Sequence, residues 1–548
     1  MKNLLLFIAA FAVSAANAQN FQWARITGTS YGTNGTGMAT DKAGNTYATG
    51  QFQGSVDFDP GPAYDWKNST NGIFFITKLD ANGSYCWTRQ VDDIYPAAVA
   101  CDDTGAVYVA GFFSATMDLD PDPGSVNNVS AVGSYDSYVM KINSNGSLAW
   151  VRVVGTPAAN CRAKGINVDN WGNVYVNGIF TNTVDFDPGA GTSNLTSSQA
   201  TNVFLLKLNS QGNFKWARSQ TFDGQTNLIY RIATDRWGNV FSSSDHDSIS
   251  VTKFDSLGNL IWSLHFFEHH QNRIFDLATD KNGNLVIVGS FVFNNDFDPG
   301  SGYHGITADG GDAFVLKLDS AGNFLWVDNF RGPGNDIARS VAIDSNDLIF
   351  VAGHFEILTD FDAGLNSQYY MEADSGSGTY RRDAFVVKLG QAGELMFAKR
   401  IGGPEIDNGL AVGLDSVNNV YFMGNFQDTV DFDPGAGTNV MHCFCIGTGA
   451  TNFFVVKLSS SGLLNLPELT PASAHILIYP NPATEELTIK TEAQYQSYTI
   501  SNSLGQQVLK ADLTAKEIKI DISSLPPGLY YLDIAGENGT DVRKFVKI

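Results

Sequence analysis

Asp169-Asn170-Trp171-Gly172-Asn173-Val174-Tyr175-Val176-Asn177-Gly178 holds a turn and a strand in ten residues. Asp bonds its own backbone two residues on, and Gly takes a positive φ, so Asp-x-x-Gly-Asn is a tight turn. Val-Tyr-Val then alternates β-branched and aromatic side chains, which suit a pleated strand. An apolar run, Ile166 to Val168, precedes the turn. Downstream come Phe204-Leu205-Leu206-Lys207-Leu208, a second turn at Gly212-Asn213, and Trp216. The unit reads as four short antiparallel strands joined by hairpins.

This unit recurs seven times between Met38 and Leu463. The Asp that ends the first strand falls at Asp41, Asp102, Asp169, Asp235, Asp280, Asp344 and Asp415, and the third-strand lysine at Lys78, Lys141, Lys207, Lys253, Lys317, Lys388 and Lys457. The fourth strand supplies Trp87, Trp150, Trp216, Trp262, Trp326 and Phe397, but the seventh repeat stops at Gly462-Leu463-Leu464 without one. Phe21-Gln22-Trp23-Ala24-Arg25 matches Phe214-Lys215-Trp216-Ala217-Arg218, so the N-terminal residues can supply the missing strand. The expected class is all-β: a seven-bladed β-propeller over residues 19–462, closed by an N-terminal strand that hides its sheet edges.

Composition agrees with that class. The 548 residues are 43% hydrophobic and 12% aromatic, and most of the 55 glycines stand in turn positions. Residues 1–18 read as a signal peptide: Lys2, the apolar run Leu4 to Val13, then Ala16-Asn17-Ala18. No other apolar stretch approaches the ~20 residues a membrane-spanning helix needs. A formal charge of −22, most of it in the repeats, argues against nucleic acid and anionic membranes as partners. Five scattered cysteines make no disulfide framework, and Cys443-Phe-Cys445 reads as loop thiols, a local bridge or a metal clip without a second pair.

Six repeats carry a variant of Val-Asp-Phe-Asp-Pro-Gly after the second strand. It places paired carboxylates at Asp57 and Asp59, Asp118 and Asp120 with Asp122, Asp185 and Asp187, Asp296 and Asp298, Asp360 and Asp362, and Asp431 and Asp433. Residues two apart in a strand point the same way. Each pair is therefore a candidate Ca²⁺ site, since Ca²⁺ takes six to eight oxygens. The alternative is that Asp, Pro and Gly simply fold each loop the same way. The fourth repeat breaks the pattern: Asp235 to Asp280 spans 45 residues against 61 to 71 elsewhere, and Ser242 to Ser248 replaces the acidic loop. His246 there, with His265, Glu268 and His269 in the next connection, forms the candidate catalytic or transition-metal cluster. It lacks a helical His-Glu-x-x-His pattern. The lysines are expected to pair with acids or cover apolar surface, and Trp171 and Trp237 to pack in turns or stack on carbohydrate.

After a proline-containing linker, residues 463–477, the alternating runs of 478–548 suggest a small β-sandwich. Tyr479-Pro480-Asn481-Pro482, Leu504-Gly505-Gln506, Gly528-Leu529-Tyr530 and the closing Lys544-Phe545-Val546-Lys547-Ile548 resemble the type A C-terminal sorting domain of the Bacteroidota type IX secretion system. That resemblance implies recognition by the outer-membrane translocon, and release or surface attachment after passage through the periplasm. The repeats resemble the seven-bladed bacterial β-propeller-repeat family, which implies architecture and no assigned chemistry. Repetition without a converging catalytic set favours a binding or adhesion protein for a polysaccharide or protein ligand over an enzyme. The alternatives are an extracellular hydrolase or lyase at the histidine-rich notch and a structural surface-layer component.

Overall fold

The computed structural model describes residues 21–28, 32–92, 94–220, 231–245, 249–266, 271–362, 368–374, 382–435, 437–444, 450–459, 476–479, 483–491, 495–502, 507–513, 515–526, 528–536 and 539–547. Every regular element among them is a β-strand. The chain divides into two compact units, Met1–Leu464 and Asn465–Ile548.

The first unit contains seven four-stranded antiparallel sheets, numbered here in chain order. Sheet three shows the pattern, with Cys161–Val168, Val174–Phe180, Asn202–Leu208 and Phe214–Gln220 side by side. Sheet seven takes Asn408–Leu414, Val420–Phe426 and Asn452–Leu458 from its own repeat and Phe21–Thr27 from the N-terminus. In that last pairing Ala24 lies opposite Val456. The first strands of successive sheets are Thr33–Thr40, Tyr95–Cys101, Cys161–Val168, Ile232–Thr234, Arg273–Thr279, Ile337–Ile343 and Asn408–Leu414. Each lies against the next, and the last lies against the first.

One device joins neighbouring sheets. Lys78 Nζ and Trp87 Nε1 both donate to the Ser144 carbonyl in the third-to-fourth-strand turn of sheet two, each at 3.0 Å. Lys207 and Trp216 share the Ser256 carbonyl, Lys253 and Trp262 the Ser320 carbonyl, and Lys317 and Trp326 the Gln391 carbonyl. Lys457 of sheet seven and Trp23 of the N-terminal strand share the Ala81 carbonyl of sheet one at 2.9 and 3.2 Å. Arg25, Arg89, Arg152 and Arg218 donate through Nε to the glycine carbonyl of the same turns, at Gly83, Gly146, Gly212 and Gly258. Those glycines have φ of 74° to 87°, and a Cβ on Gly83 would stand 2.7 Å from the Trp23 ring. Positive φ and the covering indole each exclude a side chain there. The lysines thus do more than sequence suggests: Lys78 lies over the Tyr47 ring and Lys317 pairs with Asp280 at 3.1 Å, while both reach the next sheet.

The second unit has a three-stranded and a four-stranded sheet. Leu487, Ile489, Tyr498, Ile500, Ile520, Leu532, Ile534 and Phe545 meet in one core.

Trp23 is buried and shares its acceptor with Lys457. Trp23→Ala is expected to cost about 3–5 kcal/mol, read as the change in unfolding free energy by urea titration.

Candidate functional site

The acidic motif sits at the tip of a two-stranded ribbon that continues or follows the second and third strands of six sheets. Its middle residue points inward. Phe58 packs on Phe52 and Phe75 with ring centroids 5.2 and 4.8 Å away, and Phe186, Phe297, Phe361 and Phe432 do the same in their sheets. The flanking carboxylates close the tip. Asp57 Oδ1 accepts from the amides of Asp59 and Asp65 at 3.1 and 2.8 Å, and Asp59 Oδ1 accepts from Gly61. Asp118, Asp185, Asp296, Asp360 and Asp431 each accept from the amide two residues on and from one eight or nine residues on. Asp120, Asp122, Asp187, Asp298 and Asp433 accept from the amide two residues on. Asp362 lends its own amide to Asp360. Among the described residues, no three His, Cys, Asp or Glu side chains come together in an arrangement that would hold a metal ion.

Each ribbon is entered through a left-handed residue three positions before the first motif Asp: Gly54, Ala115, Asn182, Phe293, Ile357 and Asp428, with φ of 53° to 84°. Gly, and after it Asn and Asp, occupy that region most cheaply, and Ile357 is the costliest occupant. This repeated kink re-aims every ribbon, and nothing in the amino-acid pattern marks it, because the residue types differ.

The ribbons project large apolar side chains into solvent. Tyr64 and Trp66, 75% and 57% exposed, stack with centroids 6.4 Å apart. Val126, Tyr303, Tyr370 and Phe444 are exposed on four other ribbons. Clefts of about 520, 670 and 640 Å³ lie where a ribbon meets the outer strand of the preceding sheet. The first brings Asp57, Asp59 and Trp66 to Arg25, the second Asp118, Asp120 and Asp122 to Arg89 and Trp66, the third Asp187 to Arg152.

Among the described residues, sheet four carries no such ribbon. His265 is exposed on its outer strand opposite Ser250, while His246, Glu268 and His269 lie outside the described residues. Trp171 and Trp237 are exposed but lean over the turn glycines of the following sheets, Gly238 and Gly283. Cys86, Cys101 and Cys161 are free, and Cys443 is disulfide-bonded.

A second set of groups, not singled out from the sequence, is buried in the connections and in third strands, at Asp336 and Asp407 and at Asp312 and Asp383. Asp336 Oδ1 accepts from the Glu356 amide and Oδ2 from Thr359 Oγ1, and Asp407 accepts from Gly403 and Gln427. Burial pushes Asp336 up to about 8 and Asp312 and Asp383 to about 6, and it raises Asp407 well above the usual carboxylate range. An Asn or Asp recurs just ahead of the first strand at Asn160, Asn272, Asp336 and Asp407. That recurrence was the available signal.

The inner strands differ from sheet to sheet. Six of them carry a bulge at one register position, leaving Thr36, Ala97, Lys164, Phe275, Arg339 and Leu410 unpaired. The backbone device repeats while the side chain changes.

Of the sorting-motif residues, Tyr479 ends the strand Ile476–Tyr479, and Gly528 opens Gly528–Gly536. Tyr530 is buried against Phe545 and donates to the Pro526 carbonyl. Pro480, Asn481, Pro482 and Gly505 lie outside the described residues.

Residues 477–548 match the family of the secretion system C-terminal sorting domain, and residues 22–51 match the β-propeller repeat. The chain is therefore an all-β protein with propeller repeats and a type IX sorting domain, a cargo sent to the cell surface or the extracellular space. A stretch of 226 residues is 25% identical to an uncharacterized WD repeat-containing protein of Acanthamoeba polyphaga mimivirus, covering 37% of this chain and 16% of that protein. Another of 237 residues is 23% identical to beta-agarase A of Zobellia galactanivorans, covering 41% and 40%. The chain spans less than half the length of these curated relatives. A protein of unknown function from Bacteroides caccae aligns with 11% identity and a TM-score of 0.32 over 60% of this chain and 89% of its own.

Two outcomes follow. Ile357→Asn is expected to stabilise by about 1 kcal/mol, because Asn visits the left-handed region that costs a β-branched residue; the urea midpoint reads it. Asp312, Asp336 and Asp383 hold their protons more tightly folded than unfolded, so their contribution is complete below the unfolded value of 3.8 and is lost as pH rises through about 6 to 8. The melting temperature is expected to fall from pH 5 to pH 8, and Asp336→Asn, which keeps an acceptor without the charge, to flatten that fall.

Proposed function

We propose that the seven sheets are the blades of one closed propeller, and that this secreted propeller binds a polysaccharide-coated surface through the ribbons on its rim. Closure is supported by the N-terminal strand repeating toward sheet one, through Trp23 and Arg25, the contacts Trp87 and Arg89 make toward sheet two. The observation that carries the binding reading is the recurrence of a cleft with acid and arginine at successive sheets, two of the three also lined by exposed apolar side chains, Trp66, Val126 and Phe444. Repeated weak sites on a rigid frame suit a repeating polymer, because each further contact is made intramolecularly. Exposed aromatic faces suit sugar rings. Residues 1–18 would serve as the signal peptide of the same export route, and adhesion at the surface or release into the medium are the two fates open to the product.

We read the acidic tips as turns held by their own carboxylates, with calcium as the alternative occupant of the remaining oxygens. The test is a glycan array with the mature chain, its Trp66→Ala and Tyr303→Ala variants, and melting curves with Ca²⁺ and with EDTA. Binding to neutral polysaccharides that falls at least tenfold in the double variant is expected, with melting unchanged by EDTA. Binding indifferent to both substitutions would remove the rim reading. A drop of several degrees in EDTA would make the tips cation sites.

A further inference from the structure

Three side chains from three sheets meet at the inner strands. Arg339, the bulge residue of sheet six, holds its guanidinium carbon 4.4 Å above the ring of Phe275, the bulge residue of sheet five. Arg231, just ahead of the first strand of sheet four, donates through Nε to the Phe275 carbonyl. A bulge re-aims the side chain it leaves unpaired, and bulges gather beside functional sites.

Among the described residues, Arg231, Arg339 and Arg382 gather here against Asp276 and Glu356, in a protein of net charge −22. Arg339 Nε is buried and has no hydrogen-bond partner among the described residues. The neighbouring His354, buried in the second strand of sheet six, has neither ring nitrogen bonded. Arg382 is engaged by Glu356, and Asp276, which accepts from Ser340 Oγ and the Val341 amide, faces the charge of Arg231, so Arg339 is the arginine of the cluster left with an unbonded donor. Burial first, then Arg231 and Arg382, pull the Arg339 guanidinium down to about 10, and burial with Arg382 and Arg339 keeps His354 neutral. An unpaired buried donor among like charges is costly unless something pairs with it.

We infer that Arg339, with Arg231 and the Phe275 ring, forms an oxyanion site that takes the carboxylate or sulfate group of a small acidic molecule. The guanidinium fork matches such groups, and Phe275 excludes water from one side. The acidic ribbons repel a polyanion laid across the rim, so the ligand is small, either a free oxyanion or a single sugar acid. This inference rests on the closed-ring reading and is independent of polysaccharide binding at the ribbons.

The test is calorimetry and thermal melting of the mature full chain with sodium sulfate, glucuronate and glucose in chloride buffer, for the wild type, Arg339→Met, Arg339→Lys and Trp66→Ala. Saturable binding of sulfate or glucuronate but not glucose is expected, weakened at least tenfold in Arg339→Met, partly retained in Arg339→Lys, and unchanged in Trp66→Ala. Tighter glucuronate than sulfate identifies a sugar acid, and the reverse order a free oxyanion. Without oxyanion, Arg339→Met should melt no lower than the wild type, because it removes like-charge repulsion; a purely structural arginine would lower the melting point. No saturable binding of either anion to the wild type, or equal binding by Arg339→Met and the wild type, overturns the inference. Should Arg339→Met not fold, the proposal falls unless Arg339→Lys folds and shows the intermediate affinity. Loss of glycan-array binding in Trp66→Ala with oxyanion binding intact separates the two readings.

Discussion

In five of the third-to-fourth-strand turns a single backbone carbonyl accepts from both a lysine and a tryptophan of the preceding sheet, and this is the contact on which the large unit depends. A four-stranded sheet has two apolar faces and cannot cover them alone. The Lys-Trp pair sets the distance and angle at which the next sheet covers one of them, and the indole lies over the turn glycine, so the turn cannot drift. Burying an ammonium is unfavourable unless it is bonded. Here it gains a carbonyl, an aromatic face and in several sheets the repeat aspartate, as with Lys317 and Asp280. The N-terminal strand matters because it supplies Trp23 to the one turn that would otherwise receive only Lys457.

The parts legible in the sequence are those whose cause is local. Asp-x-x-Gly-Asn announces its turn because Asp41 and its counterparts bond amides two and four residues away, and the alternation of Val-Tyr-Val follows from the pleat. The N-terminal strand was legible because Phe21 to Arg25 copies a motif seen elsewhere in the chain. What stayed hidden depends on partners far along the chain or on backbone angles. The lysine acceptors are carbonyls in the next repeat, which no side-chain pattern marks. The left-handed residues before each ribbon range from Gly54 to Ile357. In Asp-Phe-Asp the carboxylates close the turn, whereas the Phe does the anchoring. Of the histidine cluster, the structure describes His265 alone, on an outer strand.

Function follows the same division between what repeats and what varies. The ribbons repeat, with carboxylates that hold their own turns and, in four of them, aromatic side chains that face solvent at Tyr64 and Trp66, Tyr303, Tyr370 and Phe444. The inner strands vary, with one bulge occupied by Thr36, Ala97, Lys164, Phe275, Arg339 and Leu410 in turn. Arg25, Arg89 and Arg152 stand beside the acidic ribbons, while Arg231 and Arg339 meet at the first strands. The sorting domain delivers this scaffold out of the cell, where packing carries most of its stability, since Cys86, Cys101 and Cys161 are free and only Cys443 among the described cysteines is disulfide-bonded.

Native-state hydrogen exchange of Phe21–Thr27 tests the central claim most directly. If the N-terminal strand closes the ring through the shared Ala81 carbonyl, amides paired with Asn452–Leu458 exchange only by global opening, as slowly as those of sheet three. Exchange of Phe21–Thr27 by local fraying, while Asn452–Leu458 stays protected, would contradict closure and the account built on it.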